Sequence, residues 1–284
     1  MANYAVNYIK ADPSGNTTVF VLTPLPREVY PAVAARLMDE RVLRAEQVGF
    51  IEKTGSGSRM RMMGGEFCGN ASRSYAAWLV MAGDDVFNPG GIRPLPPGER
   101  KRLRVEVSGS EKPLEVLVED IGSPRGCFAE IDMPLPLSIM HGDDPALGDY
   151  SLVAFEGIIH GVLWHRHADE ALLDVFRRLL RARNFDDANC GLMFVEKEEP
   201  LVIRPLVYVG EMGSLVWESS CGSGSIAVLC ALMDKTSQSY RRLAVSQPGG
   251  ILEVSGEYTS RGIERVRLAG EVYYTAAGTA DVEV

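Results

Sequence analysis

Two cysteines in this chain stand directly in front of glycine, where the residue pattern turns helical. Cys68 lies in GGEFCGNAS (64–72) and Cys221 in WESSCGSGSI (217–226). A thiol has a reference pKa near ~8.5 and works as a base or nucleophile only as the thiolate. The unpaired N–H groups and dipole of a helix N-terminus favour that anion, so such a cysteine needs no histidine beside it. Glycine lets the backbone approach a ligand closely. The N–H groups of Gly69-Asn70 and Gly222-Ser223-Gly224 offer a cradle for a carboxylate. Two such sites serving opposite faces of one carbon would invert a stereocentre: one thiolate removes a proton and the other thiol returns one. Close like charges resist joint ionisation, so the pair would supply a thiolate and a thiol without a cofactor. Removing an α-proton this way requires a rate enhancement of at least ~10⁶, roughly 8 kcal/mol of barrier. Helix N-termini acting on the substrate carboxylate in a dry site are the expected source.

The elements around these residues repeat. In the first half, residues 4–9 and 18–22 read as strands, 28–44 as a helix with Val29, Val33 and Leu37 at helical spacing, and 47–52 as a strand. After Cys68, Ala71, Tyr75, Trp78, Leu79 and Ala82 form one apolar stripe. A Pro/Gly-rich loop (88–101) and a hairpin (103–107 with 114–119) follow. In the second half, 152–165 reads as a strand, 171–183 as a helix and 201–209 as a strand. The helix after Cys221 is apolar all round and is expected to be buried. VSGSEKPLEVLV after the first cysteine helix matches VSQPGGILEV after the second in the order of its elements. The expectation is a duplicated α/β unit: residues 1–140 carrying Cys68 and 141–284 carrying Cys221, with the last strands allowed to cross back. The stretch 135–150, MPLPLSIMHGDDPALGD and its neighbours, reads as the linker.

Bulk properties narrow the function. The 284 residues are 46% hydrophobic and 24% charged, with a formal net charge of −9. No basic block gathers to neutralise phosphates, which argues against nucleic acid as a partner. No run approaches the ~18 apolar residues of a membrane-spanning helix, and the N-terminal residues lack the apolar core of a secretion signal. Cys127, Cys190 and Cys230 complete an odd set of five cysteines without metal-site or CxxC spacing. A reducing, cytoplasmic compartment is expected. His165 and His167 share one strand face but have no third ligand beside them, so no metal site is expected.

FCGNA and SCGSG resemble the paired motifs of the diaminopimelate epimerase family, the cofactor-independent amino-acid racemases and epimerases. The resemblance covers nearly the whole chain. It implies two pseudo-symmetric α/β domains, each a curved, barrel-like sheet around a central helix, with the site in the cleft between them. It implies Cys68 and Cys221 as the base and acid, no cofactor, and a small amino-acid substrate. SGNTTVF (14–20) and EQVGFIE (46–52) sit where the family has substrate loops. Substrate contacts are therefore implied from Asn16, Gln47, Gly69, Asn70, Gly222 and Ser223. A homodimer is allowed but not required.

The departures narrow the match. The Glu-Arg-Gly segment that holds the distal carboxylate of diaminopimelate is replaced by YVGEMGSLVWESSC, and only His160 remains of a Gly-Asn-Pro-His strand, now GIIHG. PSGN, EQVGFIE, EFCGNA, SLVWESSCGSG and QPGG together are similar to histidine racemases of opine-type metallophore biosynthesis. Glu211 and Glu218 are candidate acceptors for an imidazole N–H or an α-amino group, with helix capping and solvated loops equally open. Two alternatives remain: an epimerase or racemase for another amino acid, and a redox or ligand-binding protein whose Cys68 and Cys221 form a reversible disulfide.

Overall fold

The computed structural model describes residues 2–55, 57–83, 85–210 and 213–284. The chain divides into two compact units, Met1–Asp132 with Ala269–Val284, and Met133–Leu268. Among the described residues, no helix is long and apolar enough to cross a membrane.

The first unit opens with β1 (Asn3–Asp12), β2 (Thr18–Val21), α1 (Tyr30–Met38), β3 (Gln47–Thr54) and β4 (Gly57–Met62). It continues with α2 (Gly69–Ala82), β5 (Arg100–Val105), β6 (Leu114–Asp120) and β7 (Gly126–Met133). The second unit holds β8 (Ser138–Asp144), β9 (Gly148–Phe155), β10 (Ile158–Trp164), α3 (Leu172–Ala182) and β11 (Asn189–Glu198). Then come β12 (Leu201–Val209), β13 (Ser214–Trp217), α4 (Gly222–Thr236), β14 (Tyr240–Gln247), β15 (Gly250–Thr259) and the start of the long β16 (Gly262–Glu283). From residue 269 onward β16 belongs to the first unit. There it pairs antiparallel with β1, from Asn3 opposite Glu283 to Asp12 opposite Tyr273.

In each unit the cysteine-led helix is the centre. Twelve of the fourteen α2 residues are buried, including Ser72, Arg73 and Ser74. The expected apolar stripe therefore understates the burial of α2, and Leu79 of that stripe is only half-buried. A helix buried on every side needs sheet on several sides. Tyr75 packs on Phe20 of β2, with ring centroids 6.4 Å apart, and its hydroxyl bonds Ser58 Oγ of β4 at 2.7 Å. Trp78 meets Tyr274 of β16 edge-on at 5.8 Å, while β5 and β6 close another side. The α4 helix is as apolar as its sequence predicts, and β8, β9, β10, β11, β14 and β15 all pack against it. Each unit is thus a curved sheet around a central helix, and the fold is mixed α/β.

The two units repeat one path. β1 and β2 are antiparallel, α1 crosses to the parallel β3, and β4 returns antiparallel. β9 and β10 are antiparallel, α3 crosses to the parallel β11, and β12 returns antiparallel. Each buried helix then leads to a parallel bridge, Met60 to Val107 in one unit and Val202 to Ser246 in the other. Parallel neighbours need such crossovers, which explains why helices interrupt otherwise short connections.

Several expectations are corrected. Residues 135–150 are not a linker: they contain β8, paired antiparallel with β9 from Ser138 opposite Ala154. His141 ties β8 down further, with Nδ1 2.8 Å from Ser151 Oγ and Nε2 3.0 Å from Asp234 of α4. The division accordingly falls at residue 132, before the expected 140. The single strand expected over 152–165 is a hairpin, β9 and β10, turning at Gly157 with φ +81°. The helix expected to run to residue 44 stops at Met38. There the Asp39 carboxylate accepts from the Arg41 N–H at 2.9 Å and its guanidinium, drawing the chain into a turn.

Leu229 of α4 is fully buried. Leu229→Ala is expected to destabilise the protein by about 2–5 kcal/mol, from lost transfer energy and the cavity left behind. Urea unfolding measures this, and a loss below about 1 kcal/mol would show that α4 is not enclosed by its sheet.

Candidate active site

Both cysteines are N-caps, and their local geometry is the same. Cys68 has φ −132° and ψ 113°, and Cys221 φ −113° and ψ 110°. Each sulfur accepts the N–H of the residue three positions on, Ala71 or Gly224, at 3.4 Å. Each cysteine carbonyl accepts the hydroxyl of the serine four positions on, Ser72 or Ser225, at 2.7 Å. The thiol thus stands in for the side-chain oxygen of an ordinary cap and satisfies a helix N–H that would otherwise be unpaired. All five cysteines are thiols.

The segment before each cysteine is pinned two residues upstream of the sulfur. In the first unit Ser108 Oγ donates to the Glu66 carbonyl at 2.7 Å and accepts from the Met62 N–H at 2.9 Å. Gly109, at φ +68°, lies against the Phe67 backbone so closely that a Cβ would collide with it. In the second unit the Gly249 N–H donates to the Ser219 carbonyl at 2.7 Å. Gln247 Oε1 takes the N–H of Cys221 itself at 2.8 Å, while Gln247 Nε2 donates to Ser225 Oγ at 3.0 Å.

In the first unit Gly69 and Asn70 are buried in the opening turn of α2, and Cys68 is half-buried. Asn16 is 2% exposed, and its Nδ2 donates to the Glu46 carboxylate at 3.2 Å. Gln47 pairs with Thr18 across β3 and β2. The carbonyl oxygens Asn16 Oδ1 and Gln47 Oε1 are both buried without a hydrogen-bond partner in the structure. Buried acceptors left open in this way are uncommon and call for a donor. Arg73 joins the pieces, because its guanidinium donates to Asn70 Oδ1 at 3.2 Å and to the Pro13 carbonyl, at the start of the turn that carries Asn16, at 3.0 Å.

In the second unit Gly222 is buried and Ser223 half-buried beside Cys221. Glu211 lies outside the described residues. The expected lowering of the thiol pKa is reversed at Cys221, which is 5% exposed. Burial pushes the thiol well up, and the charge of Glu218 and its hydrogen bond to the thiol push further, outweighing the Gly224 N–H and Ser223. At neutral pH Cys221 is therefore a protonated thiol donating to a carboxylate. A histidine, not required by the cap chemistry, reaches this thiol through one hydroxyl. His160, fully buried, sets Nε2 2.9 Å from Ser223 Oγ, which lies 3.6 Å from Cys221 Sγ. Burial pulls His160 down to about 4, so the ring is neutral at physiological pH. Its Nδ1 has no partner. A lone pair is left unpaired more readily than an N–H, which assigns the proton to Nε2. Hydrogen bonds then run from His160 through Ser223 to the sulfur. Gly224 is required here, since a Cβ would collide with Met193 and come within 3.1 Å of Cys221 Sγ.

The family described as "Histidine racemase CntK N-terminal domain" matches residues 5–281. The chain belongs to the histidine racemase family. It is an isomerase. A histidine racemase of Fusobacterium nucleatum subsp. nucleatum is 34% identical over 87% of this chain and 88% of its own. One from Staphylococcus aureus is 26% identical over the full length of both chains. Among solved structures, a predicted epimerase from Pseudomonas aeruginosa superposes with a TM-score of 0.62 at 14% identity, covering 97% of this chain and 99% of that one. At that identity it shows the shared fold.

Three residues of this family member escape a reading of motifs alone. Gln247 was visible only as part of QPGG, His160 as the remnant of a substituted strand, and Arg73 as one basic residue on an apolar helix. Their roles come from burial and hydrogen bonding, which spacing does not encode. The electrostatics of the second thiol predict opposite effects for two substitutions. Glu218→Gln is expected to speed iodoacetamide alkylation of Cys221 at pH 8, because the thiolate no longer faces a carboxylate. Ser223→Ala is expected to slow it, because a donor to the sulfur is lost. Peptide-resolved mass spectrometry reads both rates, and a shift in the same direction for the two variants would contradict this account.

Proposed function

We propose that the protein racemises histidine by a two-thiol mechanism, Cys68 and Cys221 serving opposite faces of the substrate Cα. What carries the reading is the pair of identical cysteine caps, one in each unit of a histidine racemase family chain. In one direction the Cys68 thiolate takes the α-proton, leaving the electron pair delocalised into the substrate carboxylate. The Cys221 thiol then delivers its proton to the other face, yielding the opposite enantiomer with Cys68 protonated and Cys221 as thiolate. Starting from that product, the reverse sequence uses Cys221 as base. Proton exchange with solvent resets the free enzyme.

The protonated resting state of Cys221 fits the acid of the first direction. The N–H groups at Gly69-Asn70 and Gly222-Ser223 suit a carboxylate whose negative charge grows as the proton leaves. The open acceptors Asn16 Oδ1 and Gln47 Oε1, with the Glu46 carboxylate bonded to Asn16, suit N–H donors, as an α-ammonium and an imidazole provide. The chemistry calls for no cofactor, since the thiol pair supplies both base and acid. A cytoplasmic, reducing location suits thiols that must stay reduced. Use of the D-histidine product in an opine-type metallophore rests on the sequence resemblance alone.

The test is incubation of the reduced enzyme with L-histidine in D₂O without added cofactor, following Cα deuterium and D-histidine together. Both are expected to appear. Cys68→Ser and Cys221→Ser are each expected to cut inversion by about 10²–10⁴-fold, the usual contribution of one acid or base. Undiminished inversion by a single-cysteine variant would overturn the two-thiol mechanism. Exchange with another amino acid but not with histidine would overturn the substrate and leave the mechanism standing.

A further inference from the structure

Each unit brings one loop side chain to its cysteine from the same place in the fold, the position after a parallel bridge. In the first unit Met60 of β4 bridges Val107, and Ser108 follows. In the second, Val202 of β12 bridges Ser246, and Gln247 follows. The two side chains grip different atoms. Ser108 bonds the Glu66 carbonyl and the Met62 N–H, both upstream of its cysteine. Gln247 is longer and reaches the backbone of the cysteine itself.

The Gln247 amide has one possible orientation. A backbone N–H can only donate, so Oε1 faces the Cys221 N–H at 2.8 Å, and Nε2 donates to Ser225 Oγ at 3.0 Å. Ser225 has a single hydroxyl proton, and it goes to the Cys221 carbonyl at 2.7 Å. The three bonds close a ring through the N–H and the C=O on either side of the Cys221 Cα. They hold the two backbone angles, φ −113° and ψ 110°, that aim the thiol. Ser225 is fully buried and Gln247 is 8% exposed, so a partner lost from this ring leaves a buried group unsatisfied. A carboxylate at position 247 could accept the Cys221 N–H but has no N–H for Ser225. The ring therefore demands an amide.

We propose that Gln247 is a positioning residue of the racemase: its carboxamide fixes Cys221 so that proton abstraction at the substrate Cα is followed by inversion and not by return to the same face. This rests on the reading of Cys68 and Cys221 as the opposed base and acid. When the Cys68 thiolate has taken the α-proton, the electron pair left on the substrate must receive the proton of the Cys221 thiol. A sulfur displaced by ~1 Å performs that step about 10²-fold more slowly. The Cys68 thiol, having traded its proton with solvent, then returns one to the face it came from. Gln247 acts on this choice through the Cys221 backbone.

The experiment has two parts. The first needs no substrate: hydrogen exchange of the cysteine amides, followed by NMR on intact protein with cysteine-selective isotope labelling. Gln247→Leu is expected to speed exchange of the Cys221 N–H by about tenfold or more, the scale of one buried hydrogen bond, with Cys190 and Cys230 unmoved. The second sets α-proton exchange in D₂O against inversion, for each histidine enantiomer separately. With the enantiomer that Cys68 deprotonates, Gln247→Leu is expected to lose inversion by about 10²-fold and to keep exchange within about tenfold of wild type. With the other enantiomer both are expected to fall together. Gln247→Glu is expected to keep the slow Cys221 amide, having an acceptor for it, and to show the same split in smaller degree. A merely loosened protein loses exchange and inversion alike from both enantiomers. That result in folded Gln247→Leu would overturn the proposal, as would an unmoved Cys221 amide. If Gln247→Leu does not fold, Gln247→Glu decides: an exchange-to-inversion ratio equal to wild type for both enantiomers overturns it. Undiminished inversion by Cys221→Ser would overturn the two-thiol reading and the proposal with it, while amide exchange would still report whether Gln247 holds the cysteine.

Discussion

The structure depends on a hydrogen bond of modest strength made twice, from a first-turn N–H to a cysteine sulfur. It starts the helix, and it sets the sulfur at the one point where the helix has unpaired donors to offer an anion. Because the helix behind each cap is buried almost all round, the sheet must curve about it, and the loops pinning the approach to the cysteine must come from that same sheet. Ser108 and Gly109 perform this in the first unit, and Gln247 and Gly249 in the second. Chemistry and architecture therefore share one atom: the sulfur that would move a proton also caps the central helix.

The same scaffold carries opposite electrostatics in its two copies. Behind Cys68 a buried guanidinium bonds Asn70 in the first turn of α2; at Cys221 burial and the Glu218 carboxylate keep the proton on the sulfur. A pair of sites with matching backbone geometry is chemically symmetric, and symmetry gives no reason for the two sulfurs to differ in their surroundings. The side chains around each cap break that symmetry: Glu218 and Ser223 attend Cys221. The neutral His160 reaches Cys221 through Ser223.

Much of this was legible in the residue order, for physical reasons that also mark the limit. The paired caps were visible because a helix start beside glycine is a local event. The α3 helix was visible because its apolar residues fall at helical spacing, α4 because an apolar run follows a capping cysteine, and β12 because a short apolar run lies within clear bounds. Less visible were elements defined by distant partners. The 135–150 stretch looks like a linker until β9 pairs with it, and residues 152–165 look continuous until Gly157 turns the chain. The helix from residue 28 appeared too long because the Asp39–Arg41 contact that ends it is not a property of periodicity. At the site, the presence of the thiols could be read but their ionisation could not, since Glu218 and His160 act through burial that only the folded chain creates.

The path of β16 sets a schedule for synthesis. Residues 269–284 belong to the first unit, where they complete the ladder with β1 and place the carbonyls of Gly270 and Glu271 on the Arg73 guanidinium. While the chain is still emerging from the ribosome, the second unit has all its strands before the first has its own. The half containing Cys68 is thus translated early and finished late, and until then its buried cation lacks two of its acceptors. A nascent chain arrested after the second unit would carry a complete Cys221 cap and a first unit still lacking its closing strand.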